Sequence, residues 1–275
     1  MYKFALLGDK VDYSRSPEIF RAMFSCAEVE GSFDIVNCST SEIQKNISRL
    51  RDSGYLALSV TIPHKHSIIE FLDEIDTVAE ALVSVNSIRL DSSKIVGFNT
   101  DVYGFRQELE QYGAQLKGSR AIILGAGGAA RSAAYALALE FEVADITFVG
   151  RSPARVTKAV EALSRIFQHV SFRSVTLDTL QSVAEDYEII VNATPLGGPN
   201  IRVASESPLF ALLESGNIYY DLNYNSDNEL ISKARQLELV TIHGLPMLIH
   251  QALRSFYLWS GIQVEYQAVA QKVGA

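Results

Sequence analysis

Residues 121–131 read Ala-Ile-Ile-Leu-Gly-Ala-Gly-Gly-Ala-Ala-Arg, an apolar run that passes straight into G-x-G-x-x-A. Alanine-rich Ser132-Ala133-Ala134-Tyr135-Ala136-Leu137 follows, so the segment reads as strand, tight turn and helix. A chain that does this is confined to few folds. It predicts the opening βα unit of a doubly wound dinucleotide-binding domain, with Gly125 for the turn. Gly127 lets backbone approach a pyrophosphate, and Ala130 keeps the helix close to the sheet. The candidate pyrophosphate cradle is therefore Gly125, Ala126, Gly127, Gly128 and Ala129, at a helix N-terminus with free N–H groups. Some 120 residues precede the loop, enough for a separate domain that could hold a substrate.

The next strand, Asp145–Val149, ends in Gly150-Arg151-Ser152-Pro153-Ala154-Arg155. A site built for a free ribose 2′-hydroxyl places Asp or Glu here, and this strand end carries none. A carboxylate would repel a 2′-phosphate, whereas a guanidinium grips one with two parallel charge-assisted hydrogen bonds. Arg151, Ser152 and Arg155 thus mark the chain for NADP(H).

Composition narrows the class further. Net charge is −8, with no basic run and no aromatic–basic interleaving, which argues against a nucleic-acid surface. No apolar stretch reaches the roughly 18 residues a membrane span needs, and the start lacks the pattern of a signal peptide. Cys26 and Cys38 offer neither a disulfide framework nor metal spacing, so both read as buried thiols of a cytoplasmic protein.

The fold class expected is α/β in two domains. Residues 1–101 form a substrate-binding domain with a mostly parallel sheet, 102–243 a Rossmann-type domain, and 244–275 C-terminal helices that return to the first domain. Strands are predicted at Lys3–Leu7, Tyr55–Val60, Val85–Leu90 and Lys94–Phe98, the last two a hairpin around Asp91-Ser92-Ser93. Ser16 reads as an N-cap with Pro17 at the first helical position, and Ile43, Ile47 and Leu50 fall at helical spacing. Polar residues gather where strands of the first domain end: Ser14, Ser16, Thr61, Lys65, Asn86 and Asn99-Thr100-Asp101. Open α/β sheets place ligands at such ends. His64 and His66 flank Lys65 without a third ligand at useful spacing, so no metal site is expected.

Taken together these segments resemble the shikimate dehydrogenase family (shikimate/quinate 5-dehydrogenases) nearly end to end. Ser14-Arg15-Ser16-Pro17 is similar to its substrate-carboxylate motif, Val60–Lys65 to the segment with its catalytic lysine, and Gly97–Asp101 to the stretch with the aspartate partner. Gly125–Arg131 matches the cofactor loop and Asn192–Gly197 the nicotinamide-side loop. Asp221-Leu222-Asn223-Tyr224-Asn225 and Gly244–Gln251 match the last two motifs. The resemblance implies NADPH-dependent, reversible reduction of 3-dehydroshikimate to shikimate in aromatic amino acid (chorismate) biosynthesis, by a monomer or homodimer. It implies Lys65 and Asp101 as the catalytic pair, and Ser14, Ser16, Thr61, Asn86, Asp101, Tyr224 and Gln251 as substrate contacts. Thr194, Leu222, Gly244 and Met247 complete the cofactor set. The chain departs from the usual pattern at Phe20 (usually His), Ser59 (Asn), Ser87 (Thr), Gly150 (Asn), Gly198 (Met) and Ser226 (Pro). A dehydrogenase of quinate or a related ring acid, and a sensor that binds such a ligand without turnover, are the alternatives the residues leave open.

Overall fold

A computed structural model describes residues 1–182, 186–198, 201–204, 207–214, 216–224 and 228–275. Asn225 and Ser226 lie outside the described residues. In chain order the first part runs β1 (Tyr2–Gly8), α1 (Ser16–Cys26), β2 (Gly31–Asn37), α2 (Ile43–Asp52), β3 (Ala57–Val60) and β4 (Glu74–Ile75). It continues with α3 (Thr77–Leu82), β5 (Ser87–Leu90), β6 (Ile95–Phe98) and α4 (Asp101–Leu109). After α5 (Gly113–Leu116) come β7 (Arg120–Leu124), α6 (Gly128–Leu139), β8 (Asp145–Gly150), α7 (Pro153–Ile166), β9 (Ser171–Thr176) and β10 (Tyr187–Asn192). The chain then forms α8 (Pro208–Leu213), β11 (Gly216–Asp221), α9 (Glu229–Gln236), β12 (Val240–His243), α10 (Gly244–Ser260) and α11 (Tyr266–Val273). Two compact units result: residues 1–104 with 248–275, and residues 105–247. Both divisions fall inside helices, α4 and α10, shortly after the helix starts at which the sequence places them.

In the first unit the sheet order is β2-β1-β3-β5-β6-β4. β1 pairs parallel with both β2 and β3, and β5 pairs antiparallel with β3 and β6. One face buries Leu7, Leu58, Val60 and Ile88 against Ile43, Ile47 and Leu50 of α2, one apolar stripe of that helix. The other face is aromatic. Phe4 of β1 meets Phe20 and Phe24 of α1 and Phe256 and Trp259 of α10, with ring centroids 4.9–6.1 Å apart. This brings the C-terminal segment onto the same sheet as β1.

Two local expectations are corrected here. Helix α1 begins at Ser16 itself with Arg15 in the cap position, because Ser14 two residues earlier accepts the Ser16 N–H on Oγ at 3.2 Å. Cys38 is buried, but Cys26 closes α1 and is only half-buried.

The second unit has an all-parallel sheet ordered β12-β11-β10-β7-β8-β9. The chain winds outward from β7 to one side, then returns to β10 and winds to the other, the doubly wound pattern. Its central strands are apolar almost throughout, as a sheet covered on both faces requires. Reversal of winding between β7 and β10 opens a crevice at their carboxyl ends, where such folds bind ligands.

Candidate active site

In the first unit, parallel pairing of β1 with β3 sets their following loops side by side. Thr61 N–H donates to the Leu7 carbonyl at 3.0 Å and Asp9 N–H to that of Ile62 at 3.1 Å. Val85 N–H donates to the Lys65 carbonyl at 2.8 Å, which ties the lysine backbone to the lead-in of β5. Beside it His64 is fully buried, its Nε2 2.8 Å from the Cys38 carbonyl, so it is a packing anchor for the loop.

Lys65 Nζ lies 2.5 Å from Asp101 Oδ2, with the lysine side chain 19% exposed and the aspartate 8%. The other carboxylate oxygen accepts Asn86 Nδ2 at 2.8 Å. Asp101 opens α4, its N–H donated to Asn99 Oδ1 at 3.1 Å, and Asn99 in turn donates from Nδ2 to the Ser84 carbonyl at 2.8 Å. The carboxylate is thus held by an amide as well as by the ammonium, and the Asp101 backbone is held by Asn99. Asn86 Nδ2 also lies 3.1 Å from Gln251 Oε1, so α10 joins the cluster. Ser14 and Ser16 form a second group, Oγ to Oγ 3.1 Å. Between them Arg15 is bidentate to Glu18 and donates to the Val273 carbonyl at 2.7 Å, which anchors the serine loop to the end of α11.

In the second unit Gly125 takes φ +110°, a backbone shape that L side chains rarely adopt, and a Cβ there would press to 3.0 Å on the Ala193 carbonyl. This is the close passage of the loops after β7 and β10. A Cβ on Gly127 would meet no described atom within 4 Å, so packing does not account for that glycine. Gly128 starts α6 directly, leaving the first-turn N–H groups of Gly128 and Ala129 for a ligand. Arg151, Ser152 and Arg155 are all exposed at the β8 end, and neither arginine has a carboxylate partner among the described residues.

The loop after β10 is held by a network of buried side chains. Asp221, fully buried at the end of β11, accepts from Asn223 N, Asn223 Nδ2, Asn228 Nδ2, Asn192 Nδ2 and Tyr219 Oη at 2.8–3.2 Å. Burial holds its carboxyl above the ordinary value, against the downward pull of the hydrogen bonds from Asn223, Asn228 and Asn192. Asn192 Oδ1 accepts Thr194 Oγ1 at 2.6 Å, and Asn223 Nδ2 reaches the Thr194 and Leu196 carbonyls at 3.0 Å. Gly244 must be glycine: its Cβ would lie 2.2 Å from the Leu222 carbonyl. Thr194, Leu222 and Gly244 are therefore bound into one frame, and Met247 follows on the first turn of α10. Tyr224, expected at the substrate carboxylate, belongs to this second unit, whereas the serines and the Lys65 cluster belong to the first.

No described group of His, Cys, Asp and Glu could hold a metal ion, and no described helix is long and apolar enough to cross a membrane.

Comparison with known proteins follows the same division. Residues 6–88 match the shikimate dehydrogenase substrate binding domain, 107–221 shikimate/quinate 5-dehydrogenase, and 244–273 the shikimate 5′-dehydrogenase C-terminal domain. The shikimate dehydrogenase (NADP(+)) of Nitrosopumilus maritimus is 32% identical over 268 residues, covering 97% of this chain and 96% of its own. The chain belongs to the shikimate dehydrogenase family. Among solved members, one in complex with NADP+ superposes with a TM-score of 0.87 at 30% identity, covering 99% of this chain and 94% of that one. The Thermus thermophilus enzyme, in complex with NADP(H) and shikimate, superposes with a TM-score of 0.85 at 28% identity, covering 100% and 99%. Five of the six departures from the usual pattern lie among the described residues. Phe20 is fully buried and stacks on Phe33 at 4.1 Å and Trp259 at 5.5 Å. Ser59 and Ser87 are directly paired across β3 and β5, so both residues of one cross-strand pair are small together. A Cβ at Gly150 would sit 2.7 Å from Val156 Cγ2, and one at Gly198 2.8 Å from the Pro195 carbonyl.

Proposed function

We propose that this chain is an NADP-dependent oxidoreductase that interconverts 3-dehydroshikimate and shikimate. The reading is carried by the Lys65–Asp101–Asn86 cluster, an ammonium fixed at 2.5 Å on a carboxylate that a neighbouring amide holds from its other side. NADPH, when bound, supplies the hydride. As negative charge grows on the ring carbonyl oxygen, Lys65 Nζ provides both the positive charge and the proton, and in the reverse direction accepts the alcohol proton. Asp101 orients that amine through the 2.5 Å contact in a part-buried site and accepts from a neighbouring ring hydroxyl. Ser14 and Ser16 bind the carboxylate with Tyr224 nearby, and Thr61, Asn86 and Gln251 serve ring hydroxyls. The cradle of Gly125, Ala126, Gly127, Gly128 and Ala129 holds the pyrophosphate, and Arg151, Ser152 and Arg155 hold the 2′-phosphate. Thr194, Leu222, Gly244 and Met247 line the nicotinamide side. The protein acts in the cytoplasm on this small molecule, as monomer or homodimer, in the synthesis of chorismate.

The test is absorbance at the NADPH band with shikimate and quinate, each with NADP+ and NAD+. Shikimate should exceed quinate at least ~10-fold in kcat/KM, the effect of one mispaired hydroxyl in a directional site. Equal turnover of both would make the enzyme a dual-specificity one. Binding of shikimate without turnover of either would overturn the enzymatic reading.

A further inference from the structure

Residues of β3 alternate between the two faces of their sheet. Leu58 and Val60 enter the core against α2, so Ser59 points to the opposite face, where Phe4 meets α1 and α10. On β5 the same alternation sends Ile88 to the α2 side and Ser87 to the other. Ser59 and Ser87 stand directly opposite each other in the antiparallel pairing, and Leu6 of β1 flanks Ser59 on its other side. In the next rung Val60 N–H donates to the Asn86 carbonyl at 2.8 Å, and Thr61 N–H extends the β1 pairing to Leu7. The serine pair therefore lies one rung from Asn86, on the face covered by the helices that carry Ser16 and Gln251.

The two hydroxyls differ in access. Ser87 is 0% exposed, and its Oγ is closed off from solvent without a partner. Ser59 keeps 8% of its surface, and its side chain makes no hydrogen bond among the described residues. Leu6 beside it has no polar atom to offer. The other polar side chains near the rung are engaged with one another: Asn86 with Asp101 and Gln251, and Thr100 with Ser255. A hydroxyl drawn out of water without a partner is costly, so nearly all buried ones are bonded. Ser59 is the exception that a ligand can reach.

We propose that Ser59 is a further specificity-determining residue: its hydroxyl bonds a hydroxyl of the ring substrate on the side of the ring that faces the sheet. This rests on the substrate reading given above and deepens it. A ring hydroxyl brings both a donor and an acceptor, and either one satisfies a serine. A ring acid with an apolar edge there leaves Ser59 desolvated and unpaired, and is disfavoured for that reason. Ser87, with no accessible surface, takes no part.

The experiment compares Ser59→Ala with Ser87→Ala, two equal deletions of a buried hydroxyl, on the full chain. Ser59→Ala should raise KM for shikimate about 3- to 10-fold, the scale of one neutral hydrogen bond, and leave kcat within about 2-fold. Ser87→Ala, out of reach of the ligand, should leave both constants as they are. Calorimetry with shikimate analogues that each lack one ring hydroxyl then locates the partner. The affinity lost in Ser59→Ala should persist on every analogue except the one that lacks the hydroxyl Ser59 holds, and vanish there. An unchanged KM in Ser59→Ala, equal effects of the two deletions, or the same loss on every analogue would make Ser59 a packing residue and overturn the proposal. If Ser59→Ala fails to fold, Ser59→Cys keeps the size and weakens the hydrogen bond, and it carries the comparison with the same expected and overturning results. A parent chain that neither binds nor turns over shikimate sinks the substrate reading itself, before any variant is compared.

Discussion

The two units prepare for their ligands in opposite ways. In the first, functional side chains spend their hydrogen bonds on one another: Lys65 on Asp101, Asp101 on Asn86, Asn86 on Gln251. In the second, the surface proposed for the cofactor is backbone at Gly125–Ala129 and the exposed arginines at 151 and 155, while a buried carboxylate, Asp221, ties the β10 and β11 loops together. The difference follows from the tasks. A proton donor must sit within hydrogen-bond reach of one atom, so its geometry has to exist before the ligand arrives. A phosphate is a large, symmetric anion that an exposed guanidinium can find after binding begins, at the cost of side-chain entropy.

The largest test of this contrast is Lys65→Ala. Loss of a general acid–base group should lower kcat by roughly 10²–10⁴. Substrate affinity measured by calorimetry should fall far less, because serines and amides remain. If kcat stays near normal, the first unit is a binding half only and the proton carrier lies elsewhere.

Arg151→Ala probes the other half and should be milder. Truncating a charge-paired phosphate contact should weaken NADP on the order of 30-fold, ~2 kcal/mol, and hardly change NAD. Its effect belongs in KM for the cofactor, with kcat preserved. Equal losses for both cofactors would mean that Arg151 shapes the loop and does not read the phosphate.

What could be read from sequence divides along the same line. The glycine loop was legible because Gly125 answers a backbone demand, φ +110°, that only glycine meets without cost. Lys65 and Asp101 stood out only as members of a group of polar residues at strand ends and through the family resemblance, because a loop lysine or a helix-start aspartate taken alone reads as solvated or as a turn former. The frame behind the cofactor loop was not. Asn192, the Asp221/Asn223 pair and Asn228 come from three stretches of chain, and their hydrogen bonds to one another form only when β10 and β11 pair. Phe20 shows the opposite case. Its departure from the family pattern was plain, but its reason, stacking on Phe33 and Trp259, exists only after β2 and α10 have folded onto α1.

The smallest effect concerns acid sensitivity, and it separates the halves by stability instead of turnover. His243 ends β12 directly beside Asp221 in register, half-buried, with its Nδ1 accepting the Leu245 N–H at 3.4 Å. Burial pushes its imidazole below the ordinary value; Glu108 pulls it up, Arg235 pushes it down and Asp221 pulls it up. A folded-state value below the unfolded one, about 6.5, means that the native state binds fewer protons near that pH. Stability from this group is therefore fully present above about pH 6.5 and is lost as pH falls through the depressed value. His243→Gln removes the titration, so urea unfolding at pH 7.5 and 5.5 should show the gap between parent and variant changing in the variant's favour by under ~1 kcal/mol at the lower pH. Other titrating groups cancel in that difference. Parallel stability curves would show that His243 titrates alike folded and unfolded, and would remove the acid-sensitive position from the cofactor half.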